Sequence, residues 1–286
     1  MPNGYREGRY RSQDDIDLYF RDYGDPGSTE LPLLCLTGLT RNSRDFERLA
    51  LHYAAERRVI SPDYRGRGRS QYDPNWRNYR PEVYLNDIRH LLALLDVHKT
   101  VVIGTSLGGI LAMALGALQP VAIAAVVLND IGPEVASKGL GRILDYISVD
   151  RPERDWPSAI ESLKRLFPSL SAATPEDWQR VAEGTFRMGE DGLLHFDWDV
   201  ALVKPIAGSS DALPDLWPLF RGLPKVPVLA VRGGVSDVLT EATFERMAAA
   251  RPDLMRATVP AVGHAPSLEE PIACQAIDAL LGRLTA

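Results

Sequence analysis

One serine stands between two glycines at the point where a strand-like pattern gives way to a helix-like one. The segment VVIGTSLGGILAMAL, residues 101–115, places Ser106 between Gly104 and Gly108. So tight a turn needs small neighbours, and it would hold the hydroxyl clear of the sheet. The first N–H groups of the following helix, beginning with that of Leu107, would lie beside it. The segment therefore predicts a nucleophile for acyl transfer, with Leu107 as one donor to the oxyanion.

A serine nucleophile needs an imidazole that accepts its proton. The segment PAVGHAPSLEEP places His264 just after the last predicted strand, at the same sheet edge as Ser106. We therefore predict His264 as the general base. The other four histidines lie in settings typical of exposed or structural residues: His52, His90, His98 and His195.

The imidazole in turn needs a carboxylate that fixes its tautomer and stabilises its cation. In VLAVRGGVSDVLT, Asp237 follows a strand and a Gly-Gly turn, whereas Asp130 in VVLNDIGPE comes directly at the end of another strand. We predict Asp237 as the acid, because serine, aspartate and histidine follow one another in this order in triads on such sheets. Asp130 is the alternative, and would otherwise be a structural carboxylate.

A second oxyanion donor is expected from the loop after an early buried strand. In LLCLTGLTRNSRDF, Gly38 allows the backbone to turn inward, so the N–H of Leu39 is the predicted donor. Two such backbone donors suffice for an oxyanion, and removing one typically costs about 3 kcal/mol of transition-state stabilisation.

The elements that must position these residues follow an alternating order. Short apolar runs recur with helix-like segments between them, which predicts an α/β fold with a mainly parallel, doubly wound sheet and an antiparallel edge. The candidate strands are IDLYFRDYG, LPLLCLTG, RRVISPD, TVVIGTS, IAAVVLNDIG, VPVLAVRGG and RATVPAVGH. Helical spacing of apolar residues marks RDFERLALHYAAERR, PEVYLNDIRHLLALLDV and EATFERMAAA.

A charged, proline-broken and largely helical segment interrupts this alternation. It predicts three units: a first core part at 1–132, an inserted helical cap at 133–215 and a second core part at 216–286. The cap would lie over the carboxyl ends of the strands, where ligands bind in open α/β sheets. Its tryptophans and Trp217 at its exit suit either an apolar substrate or a small core of the cap itself: Trp156, Trp178 and Trp198.

Composition excludes several classes of protein. The 286 residues are 45% hydrophobic with a net charge of -6, which suits a large core and disfavours binding to nucleic acid or an anionic membrane. The first fifteen residues contain no apolar run, so we expect a cytoplasmic protein.

The uncharged stretch 108–128 is divided by Gln119-Pro120, which predicts a buried helix, a turn and a strand. Cys35 and Cys274 are expected to be two packed thiols.

On these motifs the sequence resembles the α/β-hydrolase fold family, specifically its serine esterases and lactonases with a helical cap. The resemblance rests on GTSLGG with Ser106, GGVSDVL with Asp237, VGHAPSLEEP with His264, the TGLT loop and the Gly-rich turn SPDYRGRGRS. It implies hydrolysis of a small carboxylic ester or lactone, with no metal and no organic cofactor. Two positions depart from the family pattern: Thr37 precedes Gly38 where histidine is common, and Thr105 precedes the serine where histidine is common.

Two other functions stay open at this stage. Family members that hydrolyse a carbon-carbon bond of a vinylogous diketone share the triad, and Arg41 and Arg44 could bind the carboxylate of such a substrate. Alternatively, the chain could be a hydrolase-like receptor for a small ligand. A serine at the turn, where epoxide hydrolases and haloalkane dehalogenases carry aspartate, argues against those two activities.

Overall fold

The computed structural model describes residues 4–207 and 215–284, apart from the side chains of residues 137 and 138. The parts of the predicted units at 1–3, 208–214 and 285–286 lie outside this range. The strands are β1 (Tyr5–Arg11), β2 (Asp17–Tyr23), β3 (Leu33–Leu36), β4 (Val59–Pro62), β5 (Thr100–Thr105), β6 (Ile123–Asn129), β7 (Phe186–Met188), β8 (Leu194–Phe196), β9 (Val228–Gly233) and β10 (Met255–Val259). Eight of them form a sheet of order β1-β2-β4-β3-β5-β6-β9-β10, and β7 and β8 form a separate antiparallel pair.

Helices cover both faces of the sheet and fill the long connection between β6 and β9. They are α1 (Glu47–Tyr53), α2 (Pro81–Leu94), α3 (Leu107–Leu118), α4 (Ser137–Ile147), α5 (Trp156–Leu166), α6 (Pro175–Glu183), α7 (Lys204–Ala207), α8 (Trp217–Arg221), α9 (Glu241–Ala250) and α10 (Pro271–Gly282). Two apolar clusters, one on each face of the sheet, form the core.

The predicted fold class is confirmed. Within the eight-stranded sheet, the neighbouring strands β4, β3, β5, β6, β9 and β10 pair in parallel, while β2 pairs antiparallel with both β1 and β4. The central strands β3, β5 and β6 are buried almost throughout, which explains why they appear in the sequence as continuous apolar runs. The uncharged stretch 108–128 resolves into α3, a proline turn and β6.

Three strands were not predicted from the sequence. Strand β1 has the sequence YREGRYR and lies at the sheet edge, where most of its side chains contact water, so it has no apolar signature. Strands β7 and β8 are three residues long, too short for a period-two pattern to stand out. Across the described ranges, no helix is both long enough and apolar enough to span a bilayer.

The segment between β6 and β9 contains α4 to α8 and the β7-β8 pair. Its aromatic residues pack together: Phe196 stacks on Trp198 at 4.1 Å between ring centroids, and Tyr146 meets both rings. Trp178 and Trp198 are buried, at 9% and 3% exposure. The tryptophans therefore stabilise the segment itself, and Trp198 also lines the cavity described below.

Candidate active site

The turn between β5 and α3 holds Ser106 in a strained conformation. Its φ is 52° and its ψ is -115°, a combination that a residue other than glycine seldom adopts. A Cβ on Gly104 would lie 2.3 Å from the carbonyl oxygen of Gly108, and one on Gly108 would lie 2.0 Å from that of Leu36. Both glycines are therefore required by close backbone contacts, as the sequence pattern predicts.

A chain of hydrogen bonds leads from the serine to a histidine and on to an aspartate. His264 Nε2 lies 3.0 Å from Ser106 Oγ, and His264 Nδ1 lies 2.7 Å from Asp130 Oδ2. The histidine side chain is 9% exposed and the aspartate side chain is fully buried. The structure thus brings together Ser106 and His264 as predicted, with Asp130 as the acidic partner.

Asp130 is held by neutral donors from the neighbouring strand end. Its Oδ1 accepts the Gly233 N–H at 2.8 Å, and its Oδ2 accepts the Ser236 hydroxyl at 2.5 Å as well as the His264 contact. A buried carboxylate needs such donors, because burial without them would be costly. Asp130 itself has a φ of 52°, directly after β6, which directs the chain away from the sheet at this point.

The prediction that Asp237 is the partner of His264 is wrong in this structure. Asp237 lies four residues beyond the end of β9 and forms a two-point ion pair with Arg142 of α4, at 2.9 and 3.0 Å. This pair lowers the pKa of Asp237. The carboxylate faces the inserted segment and is 36% exposed, so it stabilises the contact between that segment and the core.

The amide of Asn129, the last residue of β6, joins the two loops that carry the serine and the histidine. Its Nδ2 donates to Thr105 Oγ1 at 3.0 Å and to the Pro266 carbonyl oxygen at 2.8 Å. Thr105, which stands before the serine, therefore accepts a hydrogen bond from the same amide group that holds the histidine loop through Pro266. On the other side of that loop, the Gly263 N–H donates to the Ser169 carbonyl at 2.7 Å.

The backbone N–H groups of Leu39 and Leu107 have no hydrogen-bond acceptor among the described residues. The loop that carries Leu39 abuts the serine, since a Cβ on Gly38 would lie 3.8 Å from Ser106 Cβ. Buried side chains hold this loop from behind: Arg67 Nε donates to the Leu39 carbonyl, and the Tyr64 hydroxyl donates to the Thr37 carbonyl at 3.3 Å.

The Gly-rich turn SPDYRGRGRS is a buried support for that loop. The guanidinium of Arg65 is 1% exposed and contacts three carboxylates, those of Asp14, Asp73 and Asp87. Burial raises the pKa of Asp87, and Arg65 opposes that effect. Arg67 is fully buried as well. Arg67 therefore holds the Leu39 loop from inside the protein, while Arg65 ties the turn to three carboxylates, and neither charge is presented to a phosphate backbone.

A cavity of about 530 Å³ opens beside the serine and histidine. Residues of the inserted segment form most of its apolar part: Ile143, Tyr146, Ile147, Leu163, Phe167, Leu170, Val181 and Trp198. Arg41 and Arg44 line it too, but both have protein partners, Asp45 and Thr185 for the former and the Glu183 carbonyl for the latter. Within the described ranges, no three metal-ligating side chains form a group that could hold an ion.

Comparison with known proteins identifies the family of this chain. The sequence model of the alpha/beta hydrolase family matches residues 33–274. The chain belongs to that family. It is 33% identical over 265 residues to a 3-hydroxybutyrate-oligomer hydrolase of Cupriavidus necator, covering 89% of each chain. It is 28% identical over 252 residues to a 2-(acetamidomethylene)succinate hydrolase of Mesorhizobium japonicum, covering 87% of each.

A solved structure of another alpha/beta hydrolase matches this chain over nearly its whole length. The crystal structure of an alpha/beta hydrolase from Novosphingobium aromaticivorans superposes with a TM-score of 0.92 at 42% identity, covering 98% of this chain and 99% of that one. The chain is therefore a hydrolase of the alpha/beta hydrolase family. The family pattern alone did not point to Ser236 or Asn129, because both act through the residues they hold.

Proposed function

We propose that the chain is a serine hydrolase that cleaves small carboxylic esters or lactones through an acyl-enzyme on Ser106. The observation that carries the proposal is the hydrogen-bond chain from Ser106 through His264 to Asp130. The name of the 3-hydroxybutyrate-oligomer hydrolase, whose whole length this chain nearly covers, supports an ester as the substrate.

In the proposed reaction, His264 Nε2 accepts the proton of the Ser106 hydroxyl as its oxygen attacks the ester carbonyl. Asp130 keeps the imidazole in the tautomer whose Nε2 is free, and it stabilises the imidazolium that forms. The N–H groups of Leu39 and Leu107 bind the oxyanion. His264 then protonates the leaving alcohol, and a water molecule attacks the acyl-enzyme by the same route in reverse.

Residues 133–215 would act as the cap of this site. Their apolar side chains form one wall of the cavity, so a bound acyl chain would be shielded from water while the ester is cleaved. The ion pair between Arg142 and Asp237 links this segment to the core. We propose that the cap selects substrates by shape and apolar contact, and that the core performs the chemistry.

The test is a substrate panel on purified wild type and Ser106→Ala. The panel contains p-nitrophenyl acetate and butyrate, a 3-hydroxybutyrate dimer, a lactone, an amide and a vinylogous diketone. We expect ester turnover in the wild type and a loss of at least about 10⁴-fold in Ser106→Ala. Fluorophosphonate labelling that maps to the peptide with Ser106 identifies the nucleophile independently.

Two results would overturn the proposal. Turnover of the diketone alone would favour carbon-carbon bond hydrolysis. The structure gives this alternative less support, because Arg41, a candidate to bind the carboxylate of such a substrate, is already paired with Asp45. Absence of turnover on every substrate, with tight binding of one of them, would favour the receptor function.

A further inference from the structure

The cavity beside Ser106 has a polar corner, formed by the hydroxyl of Tyr146 and by Arg41, next to its apolar lining. Tyr146 of α4 lies among Ile143, Phe167 and Trp198 in the cavity lining. Aromatic neighbours fix its ring: Phe167 meets it edge-on at 4.9 Å between centroids, and Phe196 at 5.2 Å. The position of its hydroxyl is therefore set by packing.

The hydroxyl of Tyr146 makes no hydrogen bond to any residue that the structure describes. Burial raises its pKa, so it remains protonated at neutral pH and can both donate and accept. A polar group in an apolar pocket is costly when a bound ligand removes its water and offers no partner. The hydroxyl therefore favours a ligand that brings an oxygen to it.

Arg41 forms the other side of this corner. Its positive charge acts on the Tyr146 hydroxyl and opposes the effect of burial on the pKa. Its guanidinium carries five N–H groups, and hydrogen bonds to Asp45 and Thr185 use three of them, so two remain within the described part of the chain. The corner begins close to the nucleophile, since a Cβ on Gly38 would lie 3.5 Å from Arg41 Cγ and 3.8 Å from Ser106 Cβ.

In the proposed reaction, this corner would lie on the acyl side of the ester. Arg41 follows Leu39 by two residues on the loop that would bind the oxyanion, and the oxyanion oxygen belongs to the acyl group. The leaving alcohol must instead depart beside His264 Nε2, which protonates it. An oxygen that reaches Tyr146 is therefore a substituent of the acyl chain.

The charges around the cavity favour a ligand with a neutral oxygen at this corner over a ligand with a carboxylate there. The described residues that line the cavity include four arginines and five acidic residues, so they supply no excess positive charge. The charge of Arg41 is offset by the two-point contact with Asp45. A hydroxyl or carbonyl oxygen can pair with Tyr146 without the desolvation cost of an anion.

We propose that the Tyr146 hydroxyl, with Arg41 beside it, binds a neutral oxygen on the acyl chain and makes the enzyme selective for hydroxyacyl esters over unsubstituted acyl esters. This inference rests on the proposed ester hydrolysis and adds a residue that determines specificity.

The experiment compares two esters that differ by one hydroxyl group, p-nitrophenyl 3-hydroxybutyrate and p-nitrophenyl butyrate. We expect the wild type to prefer the hydroxy ester by about ten-fold in kcat/KM. Tyr146→Phe removes the hydroxyl and keeps the ring packing, so it should lower kcat/KM for the hydroxy ester alone and bring the ratio close to one. Tyr72→Phe is the matched control, because Tyr72 is not among the described residues of the cavity lining, and it should leave the ratio unchanged.

A third substrate, the p-nitrophenyl monoester of succinate, tests the anion. Preference for it by ten-fold or more over both other esters would overturn the proposal in favour of a carboxylate site. An equal loss on both butyrate esters in Tyr146→Phe, or an unchanged ratio, would overturn it as well. These failures differ from failure of the proposed function, in which the wild type cleaves none of the esters and Ser106→Ala changes nothing.

Discussion

The ends of the neighbouring strands β6 and β9 each carry an aspartate, and the two carboxylates have different partners. Asp130 after β6 is fully buried and accepts hydrogen bonds from His264, Ser236 and Gly233. Asp237 after β9 is partly exposed and pairs with the permanent cation Arg142. A carboxylate already neutralised by arginine has little charge left to stabilise an imidazolium. Both aspartates lie between Ser106 and His264 in the chain, so chain order does not distinguish them, and their hydrogen-bond partners favour Asp130 as the partner of the histidine.

The largest expected effect separates the two carboxylates directly. Asp130→Asn should lower kcat/KM for ester hydrolysis by about 10³ to 10⁴-fold, because the amide favours the wrong imidazole tautomer. Asp237→Asn should change it by less than about five-fold, because a partly exposed ion pair contributes little. Steady-state kinetics and the rate of fluorophosphonate labelling measure both variants.

Circular dichroism of the two variants provides the control for folding. Equal losses in Asp130→Asn and Asp237→Asn, or a larger loss in Asp237→Asn, would show that the hydrogen bonds described for His264 do not represent the working enzyme.

A smaller effect is expected from the hydroxyl that holds Asp130. Ser236→Ala removes the donor to Asp130 Oδ2 and should lower kcat by about ten-fold with little change in KM, since a hydrogen bond to a charged group is worth about 1.5 kcal/mol. The low-field proton resonance of His264 Nδ1–H should shift in the same variant. A change in Tm alone, with kcat and this resonance as in the wild type, would assign Ser236 a purely structural role.

The smallest effect concerns the ion pair between α4 and the core. Arg142→Gln and Asp237→Asn should each lower the free energy of unfolding by about 0.5 kcal/mol at neutral pH, and the double variant by no more than either alone. Because Arg142 lowers the pKa of Asp237, this contribution is fully present above the unfolded pKa of about 3.9 and is lost as the pH falls through the lower pKa of the folded state.

Urea denaturation at pH 7 and pH 3 measures this difference, and hydrogen exchange of α4 locates it. Strictly additive losses in the double variant would mean that the two side chains do not interact in solution.

The fold and two of the three catalytic candidates were accessible from sequence because their signals are local. Apolar runs mark the buried strands, and Ser106 directly follows one of them, β5. His264 follows the partly exposed strand β10 by five residues. The acid was not accessible in this way. Both aspartates follow strands that reach the same edge, and the choice depends on backbone direction after each strand, including the positive φ of Asp130.

Other parts of the site depend on contacts between distant segments. Tyr146 lies on α4, and its ring is placed by Phe167 and Phe196, which come from two later elements of the insertion. No spacing within the sequence around residue 146 indicates that this tyrosine faces the cavity. Strand β1 was missed for a simpler reason, since an edge strand in contact with water needs no apolar pattern.

Adjacent residues of one short loop are attached to different parts of the enzyme. Ser236 donates a hydrogen bond to Asp130, which contacts His264, and its neighbour Asp237 pairs with Arg142 of α4, a helix that lines the cavity. A displacement of α4 would therefore act on the residue next to Ser236, which holds Asp130. If the proposed triad is correct, a compound bound against α4 would lower activity without contacting Ser106, and substitution of Arg142 would remove that effect.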